Sequence, residues 1–436
     1  MNAPMNRRSF VRHAAVATIA FPMVSRLRVL GANGRLNLAG VGVGGKGWTD
    51  ITMVDGENVV GLCDVDAGHL AKAGERFPGA RRFADWREMF DQIGKGIDGV
   101  TVSTPDHSHF PPAISAVKAG KHVYCQKPLT HTVWEARQLT LAARKSRVAT
   151  QMGNQGMAHP ALRREAELVR GGAVGKVSEV HLWTDRPGRW WPQGMVRPEG
   201  SAPVPKDLSY DLWLGVAPRR PYHPAWGHFV WRGWWDFGTG ALGDMGCHLM
   251  NLLALAFELR DPVSVEAASG GLTADAGPLW SRVTWEYGAG KNHGPMKVVW
   301  YDGGKRPDPA LWTGKLEQSN GVLVVGSRDT LLTSYLGEGQ FKSGTKKEDF
   351  KSIPETFAKH AEWERSHYDE WIAAAKGGPK AASNFEISGP VTEAVLLGNV
   401  AVRSGRKFRW NTRSLKSDQA EANAFLTKPY TPGFRV

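Results

Sequence analysis

The stretch that decides the fold runs from Leu36 to Asp64, LNLAGVGVGGKGWTDITMVDGENVVGLCD. Leu36–Val43 is apolar and alternates little, the mark of a strand buried on both faces of a parallel sheet. It runs into Gly42-Val43-Gly44-Gly45-Lys46-Gly47, then a helical stretch through Met53, then a second apolar run, Asn58–Cys63, that ends in Asp64. The first glycine permits a tight turn. The second lets a pyrophosphate approach the backbone, and the third lets the helix pack on the strand. The start of the helix offers free N–H groups and a positive dipole to phosphates. Asp64 lies 20 residues beyond Gly44, where an acid can bond the adenosine ribose hydroxyls and repel a 2′-phosphate. The stretch therefore predicts a dinucleotide turn, and NAD in preference to NADP.

The alternation continues downstream. Gly99–Ser103 reads as a strand, Phe110–Lys118 as a helix, His122–Cys125 as a strand, His131–Ser146 as a helix and Val148–Gln151 as a strand. This predicts a doubly wound parallel sheet, an α/β Rossmann domain over residues 35–156. Ligands of such sheets sit beyond the carboxyl ends of the strands. That rule selects Thr104-Pro105-Asp106-His107-Ser108-His109, Gln126-Lys127-Pro128 and Gly153-Asn154-Gln155-Gly156. Cofactor contacts are expected from Gly42, Val43, Gly44, Gly45, Lys46, Gly47, Asp64, Thr104, Pro105, His109, Gln126 and Asn154. His107 and His109 read as loop and cofactor-shell residues rather than bases.

The remaining composition is that of a globular protein, 42% hydrophobic and 22% charged. No apolar run reaches the ~18–20 residues a membrane helix needs. Three scattered cysteines make neither a disulfide framework nor a zinc knuckle, and no metal is expected. The net charge of +13 includes five arginines before residue 35, and setting those aside leaves about +8. No nucleic-acid motif accompanies this moderate field. Arg7-Arg8-Ser9-Phe10 followed by the small, apolar Ala14–Val24 reads as a twin-arginine leader over residues 1–34, which predicts export to the periplasm by the twin-arginine machinery.

Four stretches, GVGGKG at 42–47, TPDHSH at 104–109, GKHVYCQKP at 120–128 and GALGDMGCH at 240–248, together resemble the glucose–fructose oxidoreductase / inositol dehydrogenase family (Gfo/Idh/MocA). His367–Ala374 and Glu393–Asn399 match late in the chain. The resemblance implies a second, α+β domain over 157–436 with a large, mostly antiparallel open sheet, whose outer face often makes dimers or tetramers. Strand-like segments at Val177–Trp183, Val263–Ala268, Arg282–Tyr287, Met296–Tyr301 and Gly321–Gly326 fit it, followed by a helix at Pro390–Arg403.

The resemblance also implies the catalytic set. Lys127, the lysine of the family's E-K-P motif, reaches the reacting hydroxyl and can stabilise an alkoxide or relay a proton. Gln126 stands where the family usually has Glu. Asp244 and His248, at i and i+4 on a helical segment over Leu242–Phe257, share one face, so that the carboxylate can orient the imidazole as base. Eight of the 18 tryptophans fall between residues 183 and 235, with Arg186, Arg189, His223, His228 and Arg232 among them. Trp190, Trp191, Arg186 and His228 are candidates for sugar contacts; core and interface packing is the equal alternative. The expected activity is hydride transfer between a sugar or glycoside hydroxyl and a tightly bound NAD. A redox-cycled glycosidase or lyase, and a non-catalytic sugar-binding subunit with structural NAD, remain open beside it.

Overall fold

The apolar runs on either side of the glycine turn lie side by side. The computed structural model describes residues 34–434, so the leader read over 1–34 lies, but for its last residue, outside the described residues. Asn37–Val41 (β1), Asn58–Cys63 (β2), Arg81–Phe83 (β3), Gly99–Val102 (β4), His122–Cys125 (β5) and Thr150–Met152 (β6) form one sheet in the order β3-β2-β1-β4-β5-β6. Every pairing in it is parallel. The order reverses between β1 and β4, the switch point at which doubly wound sheets bind ligands. Three of the helices between the strands start on side-chain caps. Asp66 accepts from Gly68 N and His69 N, Asp85 accepts from Arg87 N, and Thr132 with Glu135 forms a capping box. Because Thr132 is the cap, the helix expected from His131 begins at Val133.

Val177–Thr184 (β7), Ser264–Gly270 (β8), Trp280–Tyr287 (β9), Met296–Tyr301 (β10) and Asn320–Gly326 (β11) form the body of a second sheet. The short strands Thr330–Thr333 (β12), Gln340–Phe341 (β13), Phe408–Asn411 (β14) and Lys416–Ser417 (β15) extend it to the order β13-β12-β11-β7-β10-β9-β8-β14-β15. Only β7 and β10 pair parallel; the other neighbours are antiparallel. Both sheets belong to one unit that begins at Asn37.

Two helices differ from expectation. Residues 242–257 are not one helix but two, Gly240–Leu249 and Asn251–Phe257, bent by 41°. The late helix spans Phe385–Ser404 rather than starting at Pro390, because Asn384 caps it and Pro390 is carried inside. Among the described residues no single helix is long and apolar enough to cross a membrane.

The segment between β7 and Gly240 returns over the first sheet. Asp66 and Leu208 form an antiparallel bridge. Ala67 N donates to Asp207 O and Ser209 N donates to Val65 O, both at 2.8 Å. Tyr210, Trp226, Trp231, Trp234 and Phe237 give this segment its own core. Most of the tryptophan-rich stretch therefore packs.

The glycine turn is as tight as its sequence implies. Gly42 has φ +78°, and a Cβ there would meet Ser103 O at 2.7 Å. A Cβ on Gly47 would lie 2.0 Å from Gly42 O. Gly47→Ala is expected to lower stability by about 1–3 kcal/mol through forced backbone movement, read by denaturant unfolding, and to weaken NAD binding in parallel.

Candidate active site

A cavity of about 740 Å³ lies where the switch-point rule places a ligand. Its floor is the glycine turn (Gly42, Gly44, Gly45, Lys46) and the ends of β2 and β4, with Asp64, Thr104, Pro105 and His109. Its roof comes from the returning segment, including Leu208, Trp213, His228, Phe229 and Arg232, and from Phe434. Lys127 and His248 stand at one end, Asp85 and Trp86 at the other.

The floor fits a dinucleotide. A side chain at 42 is excluded by the contacts above, which leaves bare backbone facing the cavity at Gly42, Gly44 and Gly45. Asp64 is tied in place: its Oδ2 accepts from Val43 N at 2.8 Å and Gly44 N at 3.1 Å, and its Oδ1 accepts from Asp66 N at 2.9 Å. A fixed carboxylate at the end of β2 suits ribose hydroxyls and opposes a phosphate.

At the reacting end the central group is Asp244, which is buried. Lys127 Nζ donates to its Oδ1 at 2.6 Å and to its carbonyl oxygen at 3.0 Å. Arg186 Nε lies 3.1 Å from Oδ2 and Arg232 Nε 3.5 Å from Oδ1. Burial pushes the carboxyl up, but Lys127, Arg232 and Arg186 outweigh it and hold it well below the usual carboxylate range. The expected Asp244–His248 pairing is therefore corrected. The helix puts both residues on one face, yet the carboxylate oxygens are taken by three cations. His248 borders the cavity with its Nδ1 buried and unpartnered. Burial, then the positive Lys127, pulls its pKa down to about 3, so the imidazole is neutral.

A second buried carboxylate, Asp50, was not foreseen. It lies one turn beyond Lys46 and is fully buried. Tyr368 OH and Ser103 Oγ donate to it at 2.6 Å, and Gln126 Nε2 donates at 2.9 and 3.1 Å. Lys46 Nζ is 3.2 Å away and also donates to Tyr368 OH at 3.0 Å. A glutamate at 126 would set a second anion against this one. Gln126 is the residue that Asp50 requires. The only trace in the sequence is a polar residue between Trp48 and Ile51.

The other expected residues divide. His109 is buried, its ring nitrogens 2.8 Å from Pro128 O and Thr104 O, so it shapes the loop. Asn154 does not border the cavity; it is buried, donating to Asn251 Oδ1 at 2.6 Å and accepting from Ser383 Oγ. Its neighbour Gln155 takes that place. Val43 and Gly47 serve the turn rather than the cavity wall. Trp191 is buried, whereas Trp190 is exposed beneath Arg186, whose guanidinium centre is 4.3 Å from its ring centre. His228 sits at the rim, 3.6 Å from Asp66.

Comparison with known proteins agrees with this anatomy. Residues 36–154 match the oxidoreductase family's NAD-binding Rossmann fold, and residues 182–310 match its C-terminal alpha/beta domain. The chain is 25% identical over 182 residues to a levoglucosan dehydrogenase of Pseudarthrobacter phenanthrenivorans, covering 42% of this chain and 38% of that protein. It is 32% identical over 136 residues to a glycosyl hydrolase family 109 protein of Stenotrophomonas maltophilia, covering 28% and 29%. The matched part is thus well under half the length of either relative. The crystal structure of the WlbA dehydrogenase from Bordetella pertussis, in complex with NADH and UDP-GlcNAcA, superposes with a TM-score of 0.61 at 17% identity, covering 86% of this chain and 98% of that one. At that identity the likeness is one of fold.

Two outcomes test the site. Gln126→Glu is expected to destabilise the protein, and Asp50→Asn in the same chain to restore most of the loss. A double-mutant cycle by denaturant unfolding should give a coupling of about 1–3 kcal/mol. His248 and His367 have folded pKa values lowered to about 3 and about 4, chiefly by burial. Below the unfolded value near 6.5 the unfolded chain binds the extra protons, so stability falls as pH drops from about 6.5 toward 4, by at most ~1.4 kcal/mol per pH unit per histidine. His248→Gln should flatten that slope in unfolding midpoints measured across the window.

Proposed function

The chain belongs to the Gfo/Idh/MocA oxidoreductase family, and from that premise we propose that it is an exported, NAD-dependent oxidoreductase acting on a hydroxyl of a sugar, sugar derivative or glycoside. The observation that carries the reading is Lys127 locked onto Asp244 beside a neutral His248, at one end of a cavity whose floor is the dinucleotide turn. NAD, held by the turn and Asp64, supplies the hydride acceptor when bound. The residues of the chain manage the proton and the charge. His248, kept neutral, can accept a hydrogen bond from the substrate hydroxyl. Lys127 and Arg232 present positive charge where an alkoxide develops, and burial makes that charge count for more than it would in water. Asp244 fixes the direction of both cations.

The Arg7-Arg8 leader supports a periplasmic address reached through the twin-arginine machinery, which carries folded proteins. Free dinucleotide is not expected there, so NAD would travel bound and be recycled in place. The family's open sheet supports a homodimer or homotetramer. A second reading, transient oxidation that releases a glycosidic bond and is then reversed, is favoured by the similarity to a glycosyl hydrolase family 109 protein.

Denaturing the purified protein is expected to release NAD in near-equal amount to chain. Rapid exchange with added NAD would overturn the retained-cofactor reading. Lys127→Ala should keep its NAD and lose about 10²–10⁴-fold in turnover on a sugar and glycoside panel. Absence of turnover by the native chain across the panel would instead assign it to sugar binding alone, and unchanged turnover by Lys127→Ala would remove the lysine from the mechanism. Absorbance of bound NADH during turnover separates the two chemistries, accumulating in net oxidation and returning to baseline in a closed cycle.

A further inference from the structure

A second cavity, of about 240 Å³, lies between the helix Phe385–Ser404, the start of the helix Gly240–Leu249 and residues 424–429. It shares no lining residue with the larger cavity. Its polar walls include Lys428, Asp236, Asn399, Arg403 and Trp235. The first three are engaged. Lys428 Nζ is 3.3 Å from Glu135 Oε1 and donates to His107 O at 3.2 Å and His131 Nδ1 at 2.9 Å. Asp236 is paired with Arg220. Asn399 Nδ2 donates to Thr239 O at 2.8 Å.

Arg403 and Trp235 are not engaged in this way. The Arg403 guanidinium centre lies 4.4 Å from the Phe425 ring centre and 5.1 Å from that of Trp235. Among the described residues no carboxylate or carbonyl stands within ion-pair or hydrogen-bond distance of it. Burial draws its pKa down to about 10 against the pull of Asp236. Trp235 is buried, and its Nε1 has no acceptor. With Lys428 balanced by Glu135 and Asp236 by Arg220, the guanidinium is one uncompensated charge. The half-buried guanidinium keeps part of its water, and its two aromatic neighbours attract it. The Trp235 N–H beside it is a buried donor without an acceptor.

We propose that this cavity binds a small oxyanion, a carboxylate or phosphate group, held by the Arg403 guanidinium and the Trp235 indole N–H against the Phe425 ring. Guanidinium presents paired donors that match such a group. The site borders Thr239, the residue that begins the helix carrying Asp244 and His248. It does not depend on the functional reading above.

The test uses the full chain saturated with NAD, with inorganic phosphate and acetate as probes against chloride at equal ionic strength. Calorimetric titration is expected to show saturable binding of at least one probe, with a matching rise in Tm; the stronger probe identifies the group. Arg403→Met should abolish both effects while melting no lower than the native chain in chloride, because it removes an unpaired charge and keeps the stem. Trp235→Phe, which keeps a ring and loses the N–H, should weaken binding by about three- to tenfold. Lys127→Ala should bind as the native chain does. Absence of saturable binding, or equal binding by native and Arg403→Met proteins, overturns the proposal. If Arg403→Met fails to fold, unchanged binding by Trp235→Phe overturns it.

Discussion

A buried carboxylate with three cations converging on it holds the two halves of the active site in register. Asp244 draws Lys127 from the loop after β5, Arg186 from the end of β7 and Arg232 from the tryptophan-rich segment. Those segments belong to the nucleotide sheet, the second sheet and the cover between them. Bringing the four groups out of water is expensive, and the geometry must be close for their attraction to repay it. The arrangement therefore acts as a positional standard: a lysine that reaches Asp244 at 2.6 Å can stand in only one place relative to the glycine turn. Three cations on one carboxylate leave an excess of positive charge at this end of the cavity.

The same logic accounts for the amide at residue 126. In the usual family pattern a glutamate precedes the lysine. Here a buried acid, Asp50, lies 76 residues before Gln126 in the chain, and the residue before Lys127 donates to it.

Much of this was legible in the sequence, and for identifiable reasons. The parallel strands are buried on both faces and read as unbroken apolar runs. The glycine turn carries its own steric requirements, and the i, i+4 spacing put Asp244 and His248 on one face. What escaped depends on contacts between distant segments. The partner of Asp244 could not be told from spacing, because Lys127, Arg186 and Arg232 are far off in the chain. Asn154 and Gln155 are adjacent and equally polar, and only the path of the loop decides which one faces inward. The edge strands β13 and β15 have two residues each, too few for any periodicity. Six of the eight tryptophans of the rich stretch are buried, since a segment folded over a sheet needs a core of its own.

That cover has a thermodynamic consequence. The walls of the nucleotide cavity are drawn from segments scattered between Val41 and His248, with Phe434 from the far end of the chain, so a molecule seated in it touches many distant segments at once. No unfolded or partly folded form can offer the same surface. Binding is then linked to folding, and occupancy at a hundred times Kd adds about 2.7 kcal/mol to the free energy of unfolding. Resistance to heat and proteolysis becomes a property of the dinucleotide supply as well as of the polypeptide. A substitution that weakens the packing can stay silent while the nucleotide is plentiful and show itself only when it is scarce.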